Sequence, residues 1–154
     1  MMVKAQLPAS TPPVTRELTS VLESLGYTVQ VGPAVPDREG PYTVVGQCPG
    51  TFPIAVCIYS ASVDVSASWP CTEEGKQHQG IFIVMVNQLN CYCRMLTCQA
   101  LTAEMEIRAC FPFAFEADRF RSFMEIWLDD AAEIIQAVKQ ENLGYLDFDT
   151  ETVQ

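Results

Sequence analysis

The stretch VNQLNCYCRMLTCQALTAEMEIRAC holds four of the seven cysteines in the chain: Cys91, Cys93, Cys98 and Cys110. On a strand, Cys91 and Cys93 would project from the same face, because strand side chains alternate. A hairpin that paired Cys98 with Ala103 would also place Cys91 opposite Cys110. Three thiols would then share one patch, and thiolates are good ligands for zinc.

The spacing of these cysteines is nevertheless a weak metal signature. The pattern C-x-C-x4-C is not a zinc-knuckle spacing, paired C-x2-C motifs are absent, and the only histidine is His78. Cys71 could complete a site with Cys91, Cys93 and Cys110, but nothing in the sequence requires it. Free cysteine commonly behaves as a small buried hydrophobe. We therefore expect no metal and no cofactor, and a thiol-based metal or redox binder built on the four cysteines stays as an alternative.

No set of residues in the sequence predicts catalysis. A nucleophilic cysteine needs a base, and His78 lies in a polar segment that is typical of an exposed loop. Neither a G-x-S-x-G motif nor a phosphate-binding glycine loop is present. The pairs Glu73–Glu74 and Asp129–Asp130 are adjacent in sequence, and neighbours on a helix do not face each other. We interpret them as solvated faces and expect that the protein is not an enzyme.

Composition predicts one globular domain. The chain has 154 residues, of which 49% are apolar and 18% are charged, enough for a hydrophobic core. Its net charge of −10 repels phosphate backbones, so we expect no nucleic-acid partner. The longest apolar run, IFIVMV, is too short to span a bilayer, and the N-terminus does not resemble a signal peptide. We expect a cytoplasmic protein with free thiols and no membrane partner.

Two helices are predicted at the ends of the chain. The first covers about residues 12–25, with Thr11 as N-cap, Pro12 at the first helical position and Gly26 as a C-terminal glycine cap. The last ends near Glu141, and its apolar residues keep a helical period over five turns. These residues are Phe120, Phe123, Trp127, Ala131, Ile134, Ile135 and Val138.

A block of strands is predicted between the helices. YTVQV, YTVVGQC, IAVCIYS and SVDVSASW are strand patterns joined by short connections, including the turn GPAVPDREGP, which favours an antiparallel meander. Alternation in SVDVSASW predicts that Val63, Val65, Ala67 and Trp69 face the core. PCTEEGKQHQG is predicted to be a polar loop. CYCRMLTC and EMEIRACF are predicted to form a hairpin through QALTA.

The segment IFIVMVNQLN is ambiguous between strand and helix. Its β-branched residues favour a strand by propensity. Ile81, Val84, Met85 and Leu89 also form a helical stripe, and Asn90 is suited to a left-handed helix C-cap. We predict a helix over residues 79–90, for the reason given next.

The word MVNQLN, in which Asn87 and Asn90 bracket Leu89, resembles the middle helix of the YbjN-like family. That family shares its architecture with class I type III secretion chaperones. The strand end FPF and the helix beginning EADRF follow in the same order, so the resemblance covers roughly residues 13–141. It implies an α+β fold: helix, antiparallel β-meander, helix, β-hairpin and a long C-terminal helix packed on the sheet.

The resemblance also makes Asn87, Leu89 and Asn90 the candidate site residues. The local alternative is that Asn90 caps the helix while Asn87 bonds to the backbone at the junction with the hairpin, as such side chains often do. We divide the chain into a flexible N-terminus (1–11), a single α+β domain (12–141) and an acidic tail (142–154), mobile or loosely docked.

The function implied by the resemblance is that of a small, acidic, non-enzymatic binding or regulatory protein. It would hold a segment of a protein partner or client on an apolar surface. A dedicated type III secretion chaperone is an alternative. Because IAVCIYS and IFIVMV are apolar nearly all round, we also expect a homodimer, joined through the middle helix or the hairpin strands.

Overall fold

The computed structural model describes residues 11–32, 43–141 and 144–147. The helices are α1 (Pro13–Ser24), α2 (Glu73–Gln77), α3 (Gln79–Leu89) and α4 (Ala117–Glu141), with a single 3₁₀ turn at Asn90–Tyr92. The strands are β1 (Thr28–Val31), β2 (Thr43–Gln47), β3 (Ile54–Ile58), β4 (Val63–Pro70), β5 (Thr97–Ala100) and β6 (Glu104–Phe111). Nearly all of the predicted N-terminal segment and of the turn GPAVPDREGP lie outside the described residues, as does most of the tail.

The strands form one antiparallel sheet of six strands in the order β1-β2-β3-β4-β6-β5. The predicted meander is confirmed for β1 to β4. Val44, Val56, Val65 and Ala109 lie side by side across four strands and are all buried. Asp64, one position along, points to the opposite face and is half-buried. The helices therefore cover one face of the sheet, and the predicted α+β fold is confirmed.

Helix α4 supplies the largest part of the core against this face. The predicted apolar stripe is confirmed, since all seven of its residues are buried. Phe120 and Phe123 pack edge-on against Phe111 of β6, with ring centroids 5.8 and 5.5 Å away. Such edge-to-face contacts add to the energy of burial. Trp127, one turn further along, is fully buried.

The start of α1 differs from the prediction. Pro12 is the N-cap residue and no side chain caps this helix end, so the assignment of Thr11 as N-cap is wrong. The backbone of Pro12 is extended, with ψ of 149°, which places the Thr11 side chain one residue too early to reach the first free N–H groups. The Thr11 carbonyl instead accepts a hydrogen bond from Arg16 Nε at 3.1 Å.

The end of α1 follows the prediction. Gly26 has φ of +94°, a conformation that favours glycine. The N–H groups of Gly26 and Tyr27 donate to the carbonyls of Glu23 and Leu22, each at 3.1 Å. This pair of bonds is a Schellman motif, and it turns the chain directly into β1.

The segment predicted to be a polar loop after β4 contains α2, so that prediction is wrong. Thr72 is its N-cap, and Thr72 Oγ1 accepts a hydrogen bond from the Gly75 N–H at 3.1 Å. The same hydroxyl donates to the Gly144 carbonyl at 2.6 Å. Glycine and glutamine in this short helix suggest a loop by composition, but the cap and a contact from the far end of the chain fix it as a helix.

Residues 144–147 are part of the fold, although the sequence placed them in the tail. The Asp147 N–H donates to the Pro70 carbonyl at 3.0 Å, and its carbonyl accepts from Trp69 Nε1 at 2.7 Å. A Cβ atom on Gly75 would lie 2.5 Å from the Tyr145 carbonyl oxygen, so the close approach requires glycine. Within the described part of the chain, no helix is both long and apolar enough to cross a membrane.

Trp127→Ala should lower the free energy of unfolding by roughly 3 to 5 kcal/mol, because it removes buried apolar surface and leaves a cavity. Urea unfolding followed by circular dichroism measures this loss. Ile126→Ala on the same helix is the matched control: this side chain is 37% exposed, so the expected loss is about 0.5 kcal/mol. A loss below about 1 kcal/mol for Trp127→Ala would show that this face of α4 is not core.

Candidate functional site

Helix α3 exposes three aliphatic side chains. Ile81, Ile83 and Val84 are 52%, 45% and 56% exposed. The prediction of a helix here is confirmed, and Met85 and Leu89 of the predicted stripe are buried. The prediction is wrong for Ile81 and Val84, which lie on the open side.

The rotation of α3 about its own axis could not be predicted from the spacing of its apolar residues. The buried side consists of Phe82, Met85, Val86 and Leu89. This set and the predicted stripe share Met85 and Leu89 but differ by a rotation about the helix axis. Both rotations bury aliphatic residues, and the observed one also buries the aromatic ring of Phe82.

The exposed side of α3 carries no charge. The helix QGIFIVMVNQL has no acidic or basic residue, although the chain has a net charge of −10. Asn87 and Gly80 lie on the same side as Ile83 and Val84, and a Cβ built on Gly80 would meet no atom within 4 Å outside its chain neighbours and its own helix backbone. We call Gly80, Ile81, Ile83, Val84 and Asn87 the α3 face. Exposed aliphatic side chains on an uncharged helix make this face a candidate interaction site.

A groove lies at the C-terminal end of α3. Its volume is about 320 Å³ and it reaches the end of α4. The lining residues are Met85, Gln88, Leu89, Cys91, Tyr92 and Glu141. The Tyr92 side chain is 49% exposed, so an aromatic ring stands at the mouth of a mostly apolar groove.

The three residues singled out by the resemblance have different positions. Asn87 is exposed on the α3 face, and Leu89 is 2% exposed in the core. Asn90 is not a left-handed cap: its φ of −61° and ψ of −19° are right-handed, and it begins the 3₁₀ turn. That part of the prediction is wrong, because the chain continues the helical rotation for one more turn.

The Asn90 side chain pairs with the backbone of β5. Its Oδ1 accepts from the Cys98 N–H at 2.6 Å, and its Nδ2 donates to the Cys98 carbonyl at 3.0 Å. The Cys98 backbone therefore points away from β6, because the N–H and C=O of one strand residue share a side. Asn90 thus covers the outer edge of β5 at this position, where an open edge would otherwise pair with another chain.

The residue that organises this region is Asp130 of α4, which is 1% exposed. Its Oδ2 accepts from the backbone N–H groups of Arg94, Met95 and Leu96 at 2.9, 2.8 and 3.2 Å. Its Oδ1 accepts from Arg94 Nε at 3.1 Å. The interpretation of Asp129–Asp130 as a solvated face is correct for exposed Asp129 and wrong for Asp130.

The sequence did carry a signal for Asp130. It follows Trp127 by three positions and precedes Ile134 by four, so it lies on the apolar stripe of α4. A carboxylate on such a stripe must be buried and satisfied by hydrogen bonds. Its hydrogen-bond partners could not be predicted from the sequence, because nearly every residue type carries a backbone N–H group.

The carboxyl group of Asp130 is held in its ionised form. Burial alone would raise its pKa, but the backbone N–H groups of Met95 and Leu96, together with Arg94, outweigh burial and lower the pKa below its ordinary value. Because Arg94 is largely exposed, the ion pair itself contributes little. The three backbone donors therefore carry most of the stabilisation.

The cysteines do not form the predicted patch. Strand β5 begins only at Thr97, because Asp130 draws the preceding residues into a turn. Cys98 pairs with Ile107 and not with Ala103, a difference of four positions. Cys110 lies on the open face of the sheet beside Asp64, whose carboxylate raises the pKa of its thiol. Within the described residues, no three His, Cys, Asp or Glu side chains are grouped as for a metal.

The single histidine belongs to a local contact. The ring of His78 stacks on Tyr145 at a centroid distance of 6.1 Å, and its Nδ1 lies 3.4 Å from the Glu74 carbonyl oxygen.

Cys71 is buried beside the docked C-terminal segment, where burial raises the pKa of its thiol.

These features define an α+β protein with helices on one face of a six-stranded antiparallel sheet and an uncharged middle helix. A solved structure with this architecture is that of YbjN from E. coli, described as "a putative transcription regulator". The TM-score is 0.60, with 88% of this chain and 96% of that chain covered at 10% sequence identity. The chain therefore has a YbjN-like fold, as the resemblance implied. No protein-family model and no curated protein matches the sequence.

Asp130→Asn should lower the free energy of unfolding by roughly 2 to 3 kcal/mol, because the amide weakens the bonds to three backbone N–H groups. Urea unfolding at neutral pH measures the loss. Asp129→Asn is the control, and it should cost less than about 1 kcal/mol because this side chain is exposed. Equal losses for Asp130→Asn and Asp129→Asn would contradict this role.

The pH dependence of stability follows from the lowered pKa of Asp130. An unfolded aspartate has a pKa of about 3.9. The contribution of Asp130 is therefore complete above about pH 4 and is lost as the pH falls through the lower folded pKa. The difference in unfolding free energy between the wild type and Asp130→Asn should narrow over that acid range.

Proposed function

We propose that the chain is a non-enzymatic protein-binding protein and that its α3 face is the contact surface. The observation that carries the proposal is the exposure of three aliphatic side chains, Ile81, Ile83 and Val84, on an uncharged helix in a chain of net charge −10. Exposing three β-branched side chains to water is unfavourable, and burying each against a partner recovers roughly 1.5 kcal/mol or more. The acidic remainder keeps such a surface soluble.

The first occupant of the α3 face is a second copy of the chain. A two-fold dimer is the commonest closed assembly, and it brings the same patch of both copies together. Gly80 leaves room for a close approach between two α3 helices. The alternative contact, through the hairpin strands, is disfavoured because Asn90 already occupies the outer edge of β5.

The partner segment binds in the groove beside this contact. With a volume of about 320 Å³, the groove is at the small end of ligand sites, and it suits one or two apolar side chains. Met85 and Leu89 supply an apolar floor, and Tyr92 supplies a ring with a polar tip at the mouth. Aromatic residues at such positions are frequent anchors of protein–protein contacts.

The description of YbjN as "a putative transcription regulator" suggests a related role for this chain. Net charge argues against direct contact with DNA, since −10 repels phosphate. Regulation by this chain would act through a bound protein, and the same surface would suit a type III secretion chaperone that holds its client before export. Both roles rest on the α3 face and the groove.

The wild-type chain should have a mass of about 34 kDa, twice 17.1 kDa, in gel filtration coupled to light scattering at low micromolar concentration. The contact should bury at least about 1,000 Å² in total. It should persist in 1 M NaCl, because salt screens charges and not apolar burial. A mass of 17 kDa across the concentration series would exclude the dimer and leave the α3 face to another protein.

A substitution locates the contact. Ile83→Glu should convert the dimer to a monomer without changing the circular dichroism spectrum, because Ile83 is exposed within one chain. Ile126→Glu places the same charge on an exposed position of α4 and should leave the mass unchanged. A dimer that survives Ile83→Glu would move the contact away from the α3 face.

A further inference from the structure

Strand β4 runs beyond the end of its neighbour β3. The final pair between the two strands is Ala55 with Ser66, whereas β4 continues to Pro70 and pairs with β6 over its full length. The backbone groups of Pro70 and Thr72 that point away from β6 therefore need partners from elsewhere in the chain. Residues 144–147 supply these partners.

The docked segment 144–147 joins this edge as a short antiparallel strand would. The Thr72 N–H donates to the Tyr145 carbonyl at 3.0 Å. The Asp147 N–H donates to the Pro70 carbonyl, also at 3.0 Å. An extended peptide that adds to an exposed strand edge makes main-chain bonds of this kind.

Two side chains next to the edge bind further backbone groups of the segment. Thr72 Oγ1 donates to the Gly144 carbonyl at 2.6 Å, and Trp69 Nε1 donates to the Asp147 carbonyl at 2.7 Å. All four of these bonds use backbone groups of the segment, and any extended peptide carries the same groups. The receiving side is therefore built to bind a main chain.

Two adjacent side chains of the segment are buried. Leu146 lies opposite Cys71 in an antiparallel bridge, and the Tyr145 ring stacks on His78 at a centroid distance of 6.1 Å. A Cβ atom on Gly75 of α2 would lie 2.5 Å from the Tyr145 carbonyl oxygen. The segment thus lies in a cleft between the end of β4 and α2, which selects an aromatic residue followed by leucine.

We propose that this cleft is a binding site for an extended segment of a partner protein that carries an aromatic residue followed by leucine. Residues 144–147 occupy the cleft as a built-in competitor, which the partner segment displaces. Main-chain bonds give affinity in such sites, and pockets for side chains give specificity. The inference does not rest on the proposed function, because the cleft and the α3 face are formed by different residues.

Displacement of the segment would leave the sheet and the helices intact. One bridge pair joins the segment to β4, whereas the pairing of β4 with β6 runs from Val63 to Pro70. The bond that caps α2, from the Gly75 N–H to Thr72 Oγ1, does not involve the segment. Elements held by so few bonds open locally at a lower cost than global unfolding.

Peptide binding to the full-length chain tests the site. The probe is a fluorescein-labelled peptide NLGYLDFD, the sequence of residues 142–149. The wild type should bind it weakly, because its own segment competes. Leu146→Asp puts a charge at a buried position and should release that segment. Fluorescence anisotropy should then show an affinity for the probe at least about tenfold higher than that of the wild type.

Two controls show whether the probe enters the cleft. Gly75→Ala added to Leu146→Asp should abolish binding, because the new Cβ meets the tyrosine carbonyl of the probe, while alanine favours the helix more than glycine does. The peptide NLGAADFD should not bind. Equal binding of both peptides, or a folded Leu146→Asp chain with no gain in affinity, would overturn the proposal. A mass of Leu146→Asp below that of the wild type in light scattering would assign the cleft to a second copy of the chain and also overturn it.

Hydrogen exchange of the wild type decides the question even if Leu146→Asp fails to fold. The amides of Thr72 and Asp147 bond across the cleft. They should exchange at least about a hundredfold faster than the amides in the centre of β6, because the segment opens locally. Equal protection of both sets would overturn the proposal, because the segment would then leave the cleft only when the whole chain unfolds.

Discussion

One buried carboxylate connects the C-terminal helix of this fold to the turn between α3 and β5. Asp130 sits on the apolar stripe of α4, where an ionised group is tolerated only when its hydrogen-bonding capacity is used. Three backbone N–H groups from the turn between α3 and β5 meet that requirement. The N–H groups in turn need acceptors, since they are drawn away from any strand partner. The carboxylate and the N–H groups therefore stabilise each other, and their hydrogen bonds hold the turn against α4, the longest helix.

The orientation of α3 follows from this attachment. With the turn fixed at its C-terminal end and α2 leading directly into its N-terminal end, α3 places Phe82, Val86 and Leu89 in the core. The opposite side of the helix, with Ile83 and Val84, is then left exposed to solvent. Asn90 adds a second constraint by covering the edge of β5. The surface that we propose for a partner is therefore a helix face and not the β5 edge.

Much of the fold could be predicted from the sequence because its periodic patterns are strong. The stripe of α4 and the alternation of β4 set which residues are buried, and Gly26 marks the end of α1 through its backbone conformation. The rotation of α3 could not be predicted, since a helix that is apolar nearly all round has no preferred face of its own. The hairpin register failed for a related reason: β5 is only four residues long, and its start is set by a distant carboxylate.

The candidate site was harder to predict than the fold because its bonds join side chains to backbone. Asn90 was singled out for a cap and proved to bind the backbone of Cys98, eight residues ahead. Asp130 was visible as a charged residue on an apolar stripe, but a pair of adjacent aspartates also fits a solvated face. A carboxylate at a stripe position is therefore a better indicator of a structural site than the density of cysteines, because only Cys98 of the four clustered cysteines is buried and the described residues contain no metal-like group.

Hydrogen exchange of the backbone amides of Arg94, Met95 and Leu96, measured by NMR on the wild-type protein, tests the role of Asp130 most directly. These amides belong to a turn, where exchange is ordinarily fast. If the carboxylate holds them as described, they should be protected to a similar degree as the amides in the centre of α4, and all three should open together. Exchange of all three at the rate of an unstructured chain would contradict the account, because the turn would then be held by something other than Asp130.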